Sequence, residues 1–396
     1  MNRKLLTALA FGALAAFGPG CPQGSGQSGG NGSSSADTIK IAMAGPITGS
    51  AGALGLESQQ GAQLAVDQAN AAGGIGGKQV ELVVEDDKGN ANEATNVAKK
   101  IASNQQIPIV VGHFNSSCTK AARETYNREG LVEFSAASTD ITVCRDYPFT
   151  FRNLYHDGYQ GVFIARYVKE VLGHGKIAIA YDNDDYGRGL RDAVMAKAAE
   201  IGLEVVVEQS WVREQTQDFK TLATALQGAA PQTVVICGLY NEAALLAKAI
   251  RNDLGWKDVQ LVGSDGVDNA QYISIAGDAA EGTLLTTPYF FSADASPEAA
   301  SFGEAFRKVH NAEPGCWAAL TYDAVGMALE GIKAVGTDRK KLQEWFASRR
   351  DAATGYKGVT GVTFFDEHGD CPSKPAVVVQ IQNGAKVLAP KQLPAN

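Results

Sequence analysis

Two clusters of small hydroxyl residues carry the clearest chemistry in the chain. Asn115-Ser-Ser-Cys118 follows the apolar run Pro108-Ile-Val-Val111, and Ser135-Ala-Ala-Ser-Thr139 follows Leu131-Val-Glu-Phe134 one helix length later. Where parallel strands end, hydroxyls and the backbone N–H groups of the next helix favour an anion. Either cluster alone reads as ordinary helix capping, because Ser and Thr suit that position in any protein. Side by side, Ser116, Ser117, Ser138 and Thr139 read as a carboxylate cradle.

Patterns that mimic enzyme motifs lack the context those motifs need. Gly26-Gln-Ser-Gly-Gly30 matches a nucleophile elbow in letters only, with no strand before it or helix after it. Gly73-Gly-Ile-Gly-Gly-Lys78 has neither P-loop spacing nor the following Ser/Thr, and it precedes a strand, so it reads as a turn. The five histidines, His113, His156, His174, His310 and His368, are dispersed, and His113 reads as a strand-end residue. Asp86-Asp87 reads as the start of a solvated loop without chemistry. Cys118 beside His113 is a poor nucleophile in an exported protein. No metal, cofactor or catalytic group is expected.

The elements that must position the cradle alternate between strand and helix. Ile39–Ala44, Val80–Glu85, Ile107–Val111 and Val132–Ser135 read as strands, with helices over Gly55–Ala72, Ala91–Ser103 and Ser117–Arg128 between them. Such alternation predicts an α/β fold, a parallel sheet with crossover helices. A second series begins after Phe151-Arg-Asn153. It has strands over Lys176–Tyr181, Glu204–Gln209, Thr233–Gly238 and Gln260–Gly263, and helices over Asp157–Leu172, Gly187–Ile201, Phe219–Gly228 and Glu242–Asn252. The tail carries helices around Ser296–Ala312 and Ala318–Val335, then strand-like Gly361–Phe365 and Ala376–Ile381, expected to complete the first lobe and then the second. The reading is two doubly wound, Rossmann-like lobes joined by a hinge crossed several times. Residues 38–156 and 289–375 form lobe 1, and 157–288 and 376–396 form lobe 2, with a ligand held in the cleft.

Composition agrees with a globular chain of two domains: 396 residues, 45% hydrophobic and 20% charged. A formal net charge of −8, with no basic run in the body, argues against nucleic acid as a partner. Arg3 and Lys4 precede an apolar run, Leu5–Phe17, too short for a stable membrane anchor, so residues 1–20 read as an export signal. Residues 21–37, rich in Gly, Ser, Gln and Asn, read as a flexible tether. A signal, a cysteine and a tether resemble a bacterial lipoprotein, in which Cys21 is lipidated and becomes the mature N-terminus. Gly18 and Pro19 depart from the usual residues there, and ordinary secretion is the alternative.

Export places the other cysteines in an oxidising compartment. Cys237, in Thr233-Val-Val-Ile-Cys237, reads as a buried free thiol. The expected bridges are Cys118–Cys144, whose members lie near strand ends on one edge of a lobe, and Cys316–Cys371. The absence of any CxxC spacing argues against zinc.

The ordered set Ile39-Lys-Ile-Ala-Met-Ala-Gly-Pro-Ile-Thr-Gly49, Ala71-Ala-Gly-Gly-Ile75, Val84-Glu-Asp-Asp87, Val111-Gly-His-Phe-Asn-Ser-Ser117, Asp185-Tyr-Gly187 and Gly263-Ser-Asp-Gly266 resembles the leucine/isoleucine/valine-binding proteins of bacterial transporters, within the type I periplasmic binding protein family. The resemblance covers nearly the whole chain after the tether. It implies a solute-binding protein that captures an amino acid, branched-chain or otherwise apolar, and delivers it to the membrane subunits of an ABC permease. It further implies that Ser116 and Thr139 donate to the α-carboxylate, aided by N–H groups near Ser117 and Thr139. The Ala137 carbonyl and Asp265 would take the ammonium, and Tyr186 would close over the ligand. A buried zwitterion needs both charges paired, and this scheme pairs them. Family members often have glutamate where Asp265 stands, so the ammonium contact is either direct or through water. Leu54 and Leu239 stand where aromatics are common, and with Tyr240 they reshape the side-chain pocket. A monomer is expected, in the periplasm or cell envelope, touching the membrane only through the lipid on Cys21. The alternative is a sensory binding module for a small carboxylate or amide. Both Tyr186 and Asp265 could instead be turn residues.

Overall fold

A computed structural model describes residues 38–394 and shows why the chain alternates as it does. The first sheet has five parallel strands in the order β2-β1-β3-β4-β5: β1 (Ile39–Gly45), β2 (Val80–Asp86), β3 (Ile109–Val111), β4 (Val132–Ser135) and β5 (Thr150–Arg152). Helices α1 (Gly52–Ala71), α2 (Ala91–Ser103) and α3 (Ser116–Arg128) make the crossovers. Strands β3 and β4 are buried throughout, as parallel strands covered on both faces must be.

The second lobe contains α4 (Asp157–Arg166), β6 (Lys176–Asp182), α5 (Asp185–Ile201), β7 (Glu204–Trp211), α6 (Phe219–Gly228), β8 (Thr233–Cys237), α7 (Tyr240–Lys248), β9 (Gln260–Gly263), α8 (Ala270–Ala276) and β10 (Leu284–Thr287). Helices α4 and α7 each run on into a π-helical turn, at Tyr167–Val171 and Ala249–Asp253. Its seven-stranded sheet has the order β14-β13-β10-β9-β8-β6-β7, where β13 is Val377–Gln382 and β14 is Ala385–Leu388. Strand β13 pairs antiparallel with β10 because it arrives from the other lobe, without a βαβ crossover.

Between β10 and β13 the chain returns to the first lobe as α9 (Pro297–His310), α10 (Cys316–Val335) and α11 (Arg339–Ala347). Phe346 of α11 and Phe365 pack with Phe134 of β4 and Phe151 of β5, ring centroids 4.9 to 5.9 Å apart. Each such pair adds about 0.5–1.5 kcal/mol beyond burial. Three passages between the sheets result: after β5, after β10 and before β13.

The expected strand over Gly361–Phe365 is corrected to a hairpin of β11 (Tyr356–Gly358) and β12 (Gly361–Thr363) that joins neither main sheet. Its turn is anchored elsewhere: Val359 N and Thr360 N each donate to the buried Asp323 carboxylate at 2.8 Å. The tail therefore completes the first lobe with helices and aromatic rings, adding no strand to its sheet.

Both expected disulfides are also corrected. Cys118, Cys144, Cys237, Cys316 and Cys371 are all buried free thiols, as read from the sequence for Cys237 alone. The Cys118 thiol lies toward Asp87 and Arg213, while Cys144 lies toward Arg152 and Asp370. Cys316 opens α10 near Asp268 and Lys386, whereas Cys371 contacts Ser373 at 3.2 Å. Burial pushes the Cys118, Cys144 and Cys316 thiols well above their usual range, so none is a ready nucleophile. Cys21 and the export segment lie outside the described residues. Among the described residues no helix is long and apolar enough to cross a membrane.

Candidate ligand-binding site

The cradle is built on a glycine. Gly112 leaves β3 at φ +132°, and a Cβ there would lie 2.1 Å from the Ala44 carbonyl oxygen, so no other residue fits. His113 then turns inward, its Nδ1 2.6 Å from Asp87 Oδ2 and its Nε2 3.1 Å from the Tyr126 hydroxyl. Asp87 is fully buried, which corrects the solvated-loop reading: it anchors the ring that shapes the loop. The His113 carbonyl accepts from the Ser135 hydroxyl at 2.8 Å and the Thr119 hydroxyl at 3.1 Å.

Arg152 of β5 secures the second cluster. It is fully buried; its Nη1 donates to the Ser138 and Asp140 carbonyls, each at 3.0 Å, and its Nε to Asp370 at 2.6 Å. The Ser138 hydroxyl donates to the Phe114 carbonyl at 2.9 Å, tying one strand end to the other. Ser116 Oγ accepts from Asp140 N at 3.2 Å. The two hydroxyl clusters are thus one stitched surface.

The second lobe answers with Tyr186 from the first turn of α5 and Asp265 just after β9. Tyr186 is placed by the Asp184 cap, whose carboxylate accepts from Gly187 N at 2.8 Å. Its hydroxyl donates to Asp265 Oδ1 at 2.5 Å and accepts from Gly266 N at 3.2 Å. Gly266 must lack a side chain: a Cβ there would meet the Gly238 carbonyl at 2.7 Å and Leu239 at 2.8 Å. Asp265 Oδ2 accepts no hydrogen bond. Burial pushes the Asp265 carboxyl up to about 6, while the Tyr186 hydrogen bond and the nearby donors of Gln160 and Gly266 restrain the rise.

These groups enclose a cavity of about 20 Å³ lined by Phe114, Asn115, Ser116, Ala137, Tyr186, Leu239, Asp265, Gly266 and Trp317. Residues 114–137 and 317 come from the first lobe and the rest from the second, so the cavity is an inter-lobe cleft. As it stands it has room for about one water, so a larger occupant needs its walls to move. A larger opening of about 660 Å³ is lined by Thr48, Asn90, Ser117, Asp182 and Arg213 among others.

Of the residues singled out in the sequence, Ser116, Ala137, Tyr186, Leu239 and Asp265 line the small cavity. Ser117 lines the larger opening. Ser138 points into the stitching described above. Thr139 is buried beside Asp157: its carbonyl accepts from Asp157 N at 2.7 Å, and burial together with the nearby Asp265 charge pushes the Asp157 carboxyl well above its usual range. Leu54 is buried in the core of α1. The Tyr240 hydroxyl accepts from Ala53 N at 3.4 Å across the cleft.

A periplasmic binding protein family model matches residues 38–386, almost all of the described chain. The chain belongs to that family. Its relatives include the leucine-, isoleucine-, valine-, threonine- and alanine-binding protein of Pseudomonas aeruginosa, 34% identical over 341 residues, 85% of this chain and 88% of the relative. A Leu/Ile/Val-binding protein homolog of Brucella melitensis is 31% identical over 382 residues, 96% of each chain. Among solved structures, the branched-chain amino acid transporter substrate-binding protein LivJ of Streptococcus pneumoniae, in complex with isoleucine, superposes with a TM-score of 0.80 at 30% identity, covering 88% of this chain and 97% of that one. The leucine-binding protein LivK of Thermotoga maritima gives 0.81 at 29% identity, with the same 88% and 97% coverage.

Two residues that line this periplasmic binding protein's cleft, and one buried behind it, carry no local sequence signal for the site. Phe114 lies in Val111-Gly-His-Phe-Asn-Ser-Ser117, where a lone aromatic among hydroxyl residues does not by itself mark a pocket wall. Trp317 packs edge-on against Phe114, centroids 4.9 Å apart at 67°, yet enters from α10, some 200 positions later, with no local pattern to mark it. Arg152 was visible in Phe151-Arg-Asn153, and an arginine amid apolar residues is a usable sign of a buried bridge.

Proposed function

We propose that this protein captures an apolar α-amino acid, of the branched-chain class, between its lobes and delivers it to the membrane subunits of an ABC permease. The observation that carries the reading is the Asp265 carboxylate. It is buried, with Oδ2 left without a partner, facing Ser116 and Ala137 across a cavity walled by Phe114, Leu239 and Trp317. A ligand carrying one ammonium, one carboxylate and an apolar side chain satisfies each of those surfaces. The relatives named for leucine, isoleucine and valine, and the isoleucine-bound neighbour, support the same ligand class.

In this reading Ser116, Ser117, Ser138 and Thr139 belong to the carboxylate side, Ala137 and Asp265 hold the ammonium, and Tyr186 closes the cleft. Leu54, Leu239 and Tyr240 shape the side-chain pocket or its support. Lobe 1 comprises residues 38–156 and 289–375, and lobe 2 comprises 157–288 and 376–396. The protein acts as an exported monomer without catalytic activity, tethered to the membrane by lipid on Cys21. A thermal-shift screen across the common amino acids tests the binding: leucine, isoleucine or valine should raise Tm in proportion to RT ln(1 + [L]/Kd). No shift with any amino acid contradicts it. Mass spectrometry of the mature N-terminus tests the lipid.

A further inference from the structure

Glu57 projects from α1 of the first lobe toward the start of α10 and the second lobe. Its Oε1 accepts from the backbone N–H groups of Trp317 at 3.1 Å and Ala318 at 3.4 Å, which satisfies the first turn of α10. Its Oε2 accepts from Asn269 Nδ2 at 2.9 Å, and Asn269 follows β9 in the second lobe. Asn269 Oδ1 in turn accepts from Gln271 N at 2.9 Å at the start of α8. The adjacent Asp268 pairs with Lys386 of β14, and its carbonyl accepts the Trp317 indole N–H at 3.2 Å. Gly315 leaves room for this arrangement, since a Cβ there would lie 2.0 Å from Glu57 Oε1. Trp317, a wall of the ligand cavity, is therefore held at its backbone by Glu57 and at its ring by the other lobe.

We infer that Glu57 is a positioning residue that sets the Trp317 wall with one carboxylate oxygen and grips Asn269 of the opposite lobe with the other, so that it ties ligand capture to lobe closure. The inference rests on the reading of the adjoining cavity as an amino-acid site. It has a signature that mere structural support lacks. With the lobes together, burial pushes the Glu57 carboxyl up to about 7; Lys386 opposes the rise, Asp268 adds to it, and the two N–H donors oppose it. The other titratable group facing the cluster is the Cys316 thiol at the start of α10. With the lobes apart the carboxyl regains water, which outweighs the loss of the Asn269 donor, so its pKa falls toward the ordinary glutamate value of about 4.3. The closed form thus holds the proton more tightly. Its advantage from Glu57 is fully present at acid pH and is lost as pH rises through about 7. Asp265 works in the opposite sense, because the ammonium needs it ionised, so the diagnostic quantity is the difference from a variant that lacks only the Glu57 titration.

Calorimetric titration of leucine into wild type, Glu57→Gln and Asn269→Ala, from about pH 5.5 to about pH 8, measures that difference. The Gln variant keeps an oxygen for the α10 N–H groups but cannot ionise. Its affinity relative to wild type should rise by roughly tenfold or more across the range, and Asn269→Ala, which leaves Glu57 in place but removes a donor to its carboxylate in the closed form, should weaken binding and show a steeper pH dependence than wild type. Parallel pH profiles in wild type and both variants overturn the inference while leaving the amino-acid reading intact. Absence of leucine, isoleucine or valine binding by wild type overturns both. If Glu57→Gln fails to fold, the wild type and Asn269→Ala profiles still decide, since equal profiles contradict the inter-lobe grip.

Discussion

The Tyr186 hydroxyl donates to Asp265 Oδ1 at 2.5 Å and leaves Oδ2 open to the cleft. One oxygen of a buried carboxylate is thereby fixed by the protein, while the other accepts no hydrogen bond. Tyr186 is held by the α5 N-terminus and Asp265 by the end of β9, so the pair registers two elements of the second lobe against the hydroxyl clusters of the first.

The ammonium partner is the first test. Asp265→Ala removes the acceptor that a buried ammonium needs, and should weaken amino-acid binding by roughly 2–5 kcal/mol. Titration calorimetry against wild type checks this, and an unchanged affinity removes Asp265 from the site.

The same carboxylate should cost stability when no ligand is bound. Its folded-state pKa of about 6 lies above the ordinary aspartate value of 3.8. The linked stability is therefore present below the unfolded value and is lost as pH rises through about 6. At pH 8 the loss is at most about 3 kcal/mol, taking 1.36 kcal/mol per unit. Denaturant unfolding of ligand-free protein should show Asp265→Asn gaining on wild type between about pH 5 and about pH 8. A constant difference contradicts this.

Arg152 should matter to fold and site together. Arg152→Ala leaves Asp370 without its 2.6 Å partner and frees the Ser138 and Asp140 carbonyls, at an expected cost of roughly 3–5 kcal/mol. Arg152→Lys cannot span three acceptors with a planar fork and should recover only part of that. Urea midpoints of the two variants measure it.

Trp317 should set the depth of the cavity. Trp317→Ala should weaken leucine binding by roughly 1–3 kcal/mol and improve the relative binding of phenylalanine. Equal losses for both ligands would deny Trp317 a role in side-chain selection.

The five buried thiols should behave as free ones. In native protein they should resist a thiol reagent at neutral pH and react on unfolding, and reductant should not change Tm. A reductant-dependent loss of stability would restore the bridges expected from the sequence.

How much was legible follows from how local each signal was. The strand and helix alternation of both lobes could be read because each βα unit is written in contiguous residues. The Ser116 and Ala137 positions followed, since they sit at strand ends within that pattern. The hairpin at Gly361–Thr363 was missed because a short apolar run looks alike whether it joins a sheet or folds onto Asp323. The cysteine pairing went wrong because strand-end proximity does not fix which way a thiol points. Trp317 and Glu57 depend on α10 returning beside α1, a contact spanning some 260 residues that no sequence window contains.

The central claim is a clamp for a zwitterion, and the most direct measurement compares leucine with isocaproate, the same molecule without its amino group. Calorimetry should show leucine bound one-to-one and isocaproate weaker by at least about a hundredfold, because the latter leaves Asp265 buried and unpaired. Equal affinity for the two, or no heat from leucine, isoleucine or valine, would contradict the account.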